Sequence, residues 1–158
     1  MINATQHRSN AQSNREQMYE VIVGRDCNVE LVAKRLLTTL GFKSKLMGTQ
    51  YLKDAIVYRY NNAHVICVGM TNRTYIAVAK MHNTTSTRVE RAIRNAIITC
   101  FSEGALKSFN TLAQAKIIHD DYAPSNGEFL CSVVNWLQLE VSSGNIKHKP
   151  TTLEAIDN

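Results

Sequence analysis

Arg88, Glu90, Arg91 and Arg94 fall within one seven-residue window. Forked cations beside a carboxylate suit hydrogen bonding to the edges of nucleic-acid bases. Arg can donate two parallel bonds to O6 and N7 of guanine, and Glu can accept from the cytosine amino group. On a helix, Thr87, Glu90, Arg91 and Arg94 share one arc, with Arg88 and Asn95 on its flank. Val89, Ala92, Ile93, Ala96 and Ile97 recur at i, i+3, i+4, i+7 and i+8 and form an apolar stripe on the other side. One face anchors the helix while the other offers cations, as reading a DNA major groove requires.

Outward arginines are also common on solvated helices, so the charge distribution decides. The formal net charge is +5. Residues 71–94 contain Arg73, Lys80, Arg88, Arg91 and Arg94 against Glu90 alone, and so hold +4 of that total. Charge concentrated on one motif is the electrostatic footprint of a polyanion partner.

The elements around this helix must position it. Tyr75 to His82 reads as a shorter helix with Val78 and Ala79 inward. Asn83-Thr84-Thr85 reads as a turn, and the Thr85 hydroxyl suits an N-cap. Ala79 precedes Val89 by ten residues, the helix-turn-helix spacing between the small residue of the first helix and the first core residue of the second. Asn83 stands where glycine is frequent, and Asn tolerates the left-handed backbone.

These residues carry a resemblance. The run from Asn83 through Ile97 is similar to the recognition-helix region of the C-terminal DNA-binding domain of stage zero sporulation protein A, a sporulation response regulator. Weaker collinear similarities extend over Tyr51–Ile56, Tyr60–Asn62, Ser102–Gly104, Pro124–Phe129 and Leu137–Glu140, covering roughly residues 27–140. The resemblance implies an all-α, compact helical bundle of about six helices containing a helix-turn-helix. It implies double-stranded DNA as partner, at a box resembling TGTCGAA. Glu90, Arg91 and Arg94 would read bases. Arg73, Lys80, Thr85, Ser86, Thr87 and Arg88 would serve the phosphate backbone. The family also suggests the RNA polymerase sigma subunit as a partner and a dimer on DNA. Residues 105–123, where the sigma contact would fall, are less similar. The segment from Gly69 to Ile76 also departs, lacking a proline usual near Ile76.

A receiver domain of ordinary size does not fit ahead of the first core helix, and Asp26 reads as an N-cap rather than a phosphoacceptor. A solitary output domain is the expectation, not controlled by phosphorylation in cis. A second functional class stays open: a protein-interaction module that antagonises or modulates the full-length regulator or RNA polymerase.

Composition fits one domain, since 158 residues at 44% hydrophobic content bury an adequate core. Residues 1–20 are polar and read as a disordered tail; 21–141 form the effector domain; 142–158 read as a flexible tail. Val29, Val32, Ala33, Leu36, Leu37 and Leu40 form one helical stripe that Gly41 stops. Leu52, Ala55, Ile56 and Tyr60 suggest another. Residues 63–70 are apolar and by period alone could be a strand; the resemblance implies a helix there. Residues 105–118 suggest one or two short helices. Ser125-Asn126-Gly127-Glu128 is a capping box opening a last helix with Phe129, Leu130, Val133, Val134, Trp136 and Leu137 inward.

Other chemistry is not expected. Cys27, Cys67, Cys100 and Cys131 lack metal-ligand spacing and read as reduced core thiols. His119-Asp120-Asp121 reads as a solvated loop rather than a catalytic dyad. No phosphate-cradling glycine loop or nucleophile motif occurs. Neither cofactor nor metal nor enzymatic activity is expected. With no signal peptide and no membrane-length apolar run, a cytoplasmic location is.

Overall fold

A computed structural model describes residues 4–24, 28–64 and 69–146. Among these residues there are seven α-helices and no strand: α1 (Ala4–Val23), α2 (Val29–Thr39), α3 (Met47–Asn61), α4 (Met70–Met81), α5 (Ser86–Ser102), α6 (Ser108–Ala113) and α7 (Asn126–Ser142). A 3-10 turn, Ala105–Lys107, joins α5 to α6. The all-α bundle is as the sequence predicts, with one more helix than expected.

That extra helix corrects the disordered tail. Residues 1–20 are not tail-like throughout, because α1 begins at Ala4. In α1, residues 6–14 are exposed. Its second half is anchored: Ile22 and Val23 are buried, and Met18 and Tyr19 pack against the core. The Tyr19 hydroxyl donates to the Glu140 carboxylate, and Arg15 Nε donates to the Leu112 carbonyl at 3.3 Å. Mean polarity hid a short apolar end that fastens a long polar helix.

The core follows the helical stripes. Every inward position predicted for α2 is buried, as are the six predicted for α7. Gly41, at φ +89°, takes the left-handed turn after α2. The α2 cap is Asn28, not Asp26: Asn28 Oδ1 accepts from Leu31 N at 2.9 Å. Asp26 itself lies outside the described residues. Phe129 of α7 lies among Phe42, at 5.7 Å between ring centroids, and Phe109, at 6.4 Å. Trp136 meets Phe109 edge-on at 6.3 Å, consistent with its predicted core position.

Three further expectations change. Residues 65–68, half of the apolar stretch 63–70, lie outside the described residues, and Ala63 and His64 belong to a turn. Cys100 is buried, its Sγ donating to the Leu40 carbonyl at 2.9 Å, and burial pushes its thiol up to about 12. Cys131 is exposed, not a core thiol, because it faces away from the α7 stripe. Cys27 and Cys67 lie outside the described residues. Ile146 is buried, so the flexible C-terminal tail does not begin at 142. The remainder, 147–158, lies outside the described residues.

Candidate nucleic-acid interface

The first motif helix is longer than its pattern indicated. It starts at Met70 rather than Tyr75, after Gly69 in the left-handed region at φ +82°. The Thr74 hydroxyl is buried and returns to the Met70 carbonyl at 2.8 Å, which hides it from a hydrophobic pattern. Tyr75, Val78 and Ala79 face inward, and Ile76 is half exposed in mid-helix.

The turn that follows is a Schellman stop. Asn83 takes φ +49°. Thr84 N donates to the Ala79 carbonyl at 3.0 Å and Asn83 N to the Lys80 carbonyl at 3.4 Å. Thr85 then caps α5, its hydroxyl accepting from Arg88 N at 3.3 Å. Asn83 and Thr85 thus take the conformations their side chains favour, and they fix the angle between α4 and α5.

Two contacts hold the motif to α3. His82, which caps α4, places Nε2 2.6 Å from Asp54 Oδ2 and its ring edge-on to Tyr51. Lys53 bridges Asp54 at 2.9 Å and Glu30 at 3.1 Å, tying α3 to α2. The second contact is the approach of α3 to α5 at Gly48. A Cβ there would collide with the Ala92 carbonyl oxygen and lie 3.2 Å from Ala96 Cβ. Neither His82 nor Gly48 is visible as a functional residue in sequence. A glycine in the first turn of a helix is the only signal, and it points to close packing.

The inner face of α5 is dry: Val89, Ile93 and Ile97 are fully buried. Its outer face presents Thr87, Arg88, Glu90 and Arg91, all exposed, with Thr85 at the cap and Lys80 on α4 also exposed. Arg73 is exposed on α4, and Ser86 is half buried in the first turn of α5. Ile98, half exposed, continues the outer arc, an apolar position the sequence reading did not single out.

Arg94 differs from its neighbours. It is half buried, and Nη1 donates to the Pro124 carbonyl at 2.5 Å. Nearby, Asn126 Nδ2 donates to the Glu90 carbonyl at 3.1 Å. Tyr75 is buried beside them. Burial, aided by the Glu90 charge, raises its phenol above the ordinary value, while the nearby Asn126 amide and the charges of Arg59 and Arg94 oppose the rise. Sequence spacing could not reveal this cluster, because α7 is remote along the chain.

The other candidates do not assemble into a site. His119 stacks on Tyr122, and Asp120 pairs with Lys107 at 2.8 Å and Lys116 at 3.3 Å on the surface. Among the described residues no group of three or more His, Cys, Asp or Glu is placed to hold a metal ion. No helix among them is long and apolar enough to cross a membrane.

An all-α bundle with a Schellman turn between two crossing helices, the second cationic on its outer face, is a helix-turn-helix DNA-binding domain. Residues 33–137 match the family described as sporulation initiation factor Spo0A C terminal, and the chain belongs to that family. It is a family of DNA-binding effector domains of sporulation regulators, acting on double-stranded DNA and not enzymatic.

Proposed function

We propose that this chain is a sequence-specific transcription regulator that reads a box resembling TGTCGAA with the outer face of α5. Arg91 and Arg94 bond guanine edges, and Glu90 accepts from a cytosine amino group. Thr85, Ser86, Thr87 and Arg88 at the start of α5, with Lys80 and Arg73 on α4, meet phosphates. The observation that carries this reading is the α5 face itself, cations outward on a helix whose other side is fully buried. The helix N-terminus also favours a phosphate.

Switching by phosphoryl transfer to this chain is not part of the proposal. Three acids of the bundle have structural partners: Asp54 holds His82 and Lys53, Asp120 holds Lys107 and Lys116, and Glu128 caps α7. A dimer on adjacent boxes and contact with the RNA polymerase sigma subunit belong to the same proposal, as does action in the cytoplasm.

Fluorescence anisotropy with a labelled duplex tests it. The chain should bind the box at least tenfold more tightly than a scrambled duplex, on the order expected for loss of one base contact or more. An acyl-phosphate donor should leave that affinity unchanged. Equal binding to both duplexes would remove the sequence-specific reading. No binding to either would favour a module that antagonises the full-length regulator or RNA polymerase.

A further inference from the structure

We propose that Pro124 and Asn126 are positioning residues that set the base preference of Arg94 from outside the recognition helix. This rests on the DNA-binding reading above and adds to it a determinant of specificity carried on α7.

The geometry is a two-point grip. The Pro124 carbonyl accepts from Arg94 Nη1 at 2.5 Å and so fixes the tip of the side chain. Asn126 Nδ2 donates at 3.1 Å to the Glu90 carbonyl. In the α5 ladder that carbonyl also accepts the Arg94 amide, four residues on. The segment 124–126 therefore holds Arg94 at both its backbone and its guanidinium.

The grip is rigidly mounted. Asn126 is the first residue of α7 and is 7% exposed. Ser125 before it is locked in the capping box with Glu128. Phe129 and Leu130, one turn on, are fully buried. Tyr75 of α4 is buried close to Asn126. A long arginine loses much rotamer freedom when it binds a base, and a side chain already fixed loses less. One Nη1 donor goes to Pro124, which leaves the Nε and Nη2 donors to meet O6 and N7 of a guanine. The carbonyl thus decides how far, and at what angle, that edge reaches the groove.

A merely structural Asn126 would affect all DNA contacts alike, so base preference is the measurement. Anisotropy titrations would use the full chain, the box duplex and its single base-pair variants. The base pair read by Arg94 is the one whose discrimination disappears in Arg94→Ala. Asn126→Ala should reduce discrimination at that pair by on the order of fivefold to tenfold and leave the pair read by Arg91 within twofold. In an Arg94→Ala background, Asn126→Ala should change base preference no further. Asn126→Asp, which keeps the side-chain size and suits a helix N-terminus but cannot donate to Glu90, should act as Asn126→Ala does and carries the test if the alanine variant unfolds. Equal weakening on every duplex, or equal loss at the Arg91 pair, would overturn the proposal. A wild-type chain that does not prefer the box would sink the DNA-binding reading itself, and that is visible before any variant is made.

Discussion

Gly48 of α3 lies against the Ala92 carbonyl of α5, with Ala96 Cβ alongside, so the two helices cross without a side chain between them. Gly48 lies in the first turn of α3, so Gly48→Ala would gain at most about 1 kcal/mol of helix propensity, the value for a helix interior. Overpacking typically costs about 1–3 kcal/mol, and here the obstacle is backbone, which cannot rotate aside. The clash should win, with a net loss of up to about 2 kcal/mol by urea denaturation. DNA affinity should fall as well, because the same contact sets the position of α5. A variant more stable than wild type would mean that α3 and α5 separate freely at this crossing.

Ile93 anchors the recognition helix from beneath and is fully buried between Val89 and Ile97. Ile93→Ala should cost about 2–5 kcal/mol through lost burial and the cavity left behind. Its denaturation midpoint should drop while the cationic face keeps its chemistry. An unchanged midpoint would show that the inner face of α5 is not core.

Arg91 and Lys80 are both exposed cations, but on different helices of the motif. Arg91→Ala should cost about 1–3 kcal/mol on the box and relax one base pair. Lys80→Ala should weaken box and scrambled duplex about equally. Equal weakening by Arg91→Ala would make Arg91 a backbone contact.

Phosphate contacts also set the salt dependence. If Arg73, Lys80 and Arg88 neutralise phosphates and Arg91 and Arg94 approach them while reading bases, log K against log salt should slope near −4, at about −0.9 per phosphate neutralised. Binding that salt barely changes would exclude this interface.

Local information made the helix-turn-helix legible. The α5 stripe, the Thr85 cap, the left-handed Asn83 and the Ser125–Glu128 capping box are written in residues a few positions apart. All four appear in the structure. The missed features need partners far along the chain. Asp54 with His82 joins α3 to the end of α4, Gly48 with Ala92 joins α3 to α5, and Arg94 with Pro124 joins α5 to the loop ahead of α7. Helix α1 was missed for a different reason. Its anchoring residues are confined to its last turns, so averaging over residues 1–20 hides them. The start of α4 was placed too late because Thr74 is buried but polar in type.

The capping box also predicts a pH dependence. Glu128 accepts from Ser125 N at 2.7 Å, and Ser125 Oγ accepts from Glu128 N at 3.2 Å. These bonds, Ser125 first, hold the exposed Glu128 carboxyl below its ordinary value of 4.5, with small help from His119 and Arg94. A carboxylate whose folded value is depressed stabilises the fold above its unfolded value. That stability is lost as pH falls through the folded value. Melting temperature should therefore decline as pH drops from about 5 through the acid range. Glu128→Gln keeps an oxygen that can accept from Ser125 N but cannot titrate, so its melting temperature should decline less over the same range. Asp120, held low by Lys107 and Lys116, titrates in both proteins and cancels in the comparison. Parallel curves for wild type and Glu128→Gln would mean that the cap contributes no proton-linked stability, and that Asn126 is seated by the buried face of α7 alone.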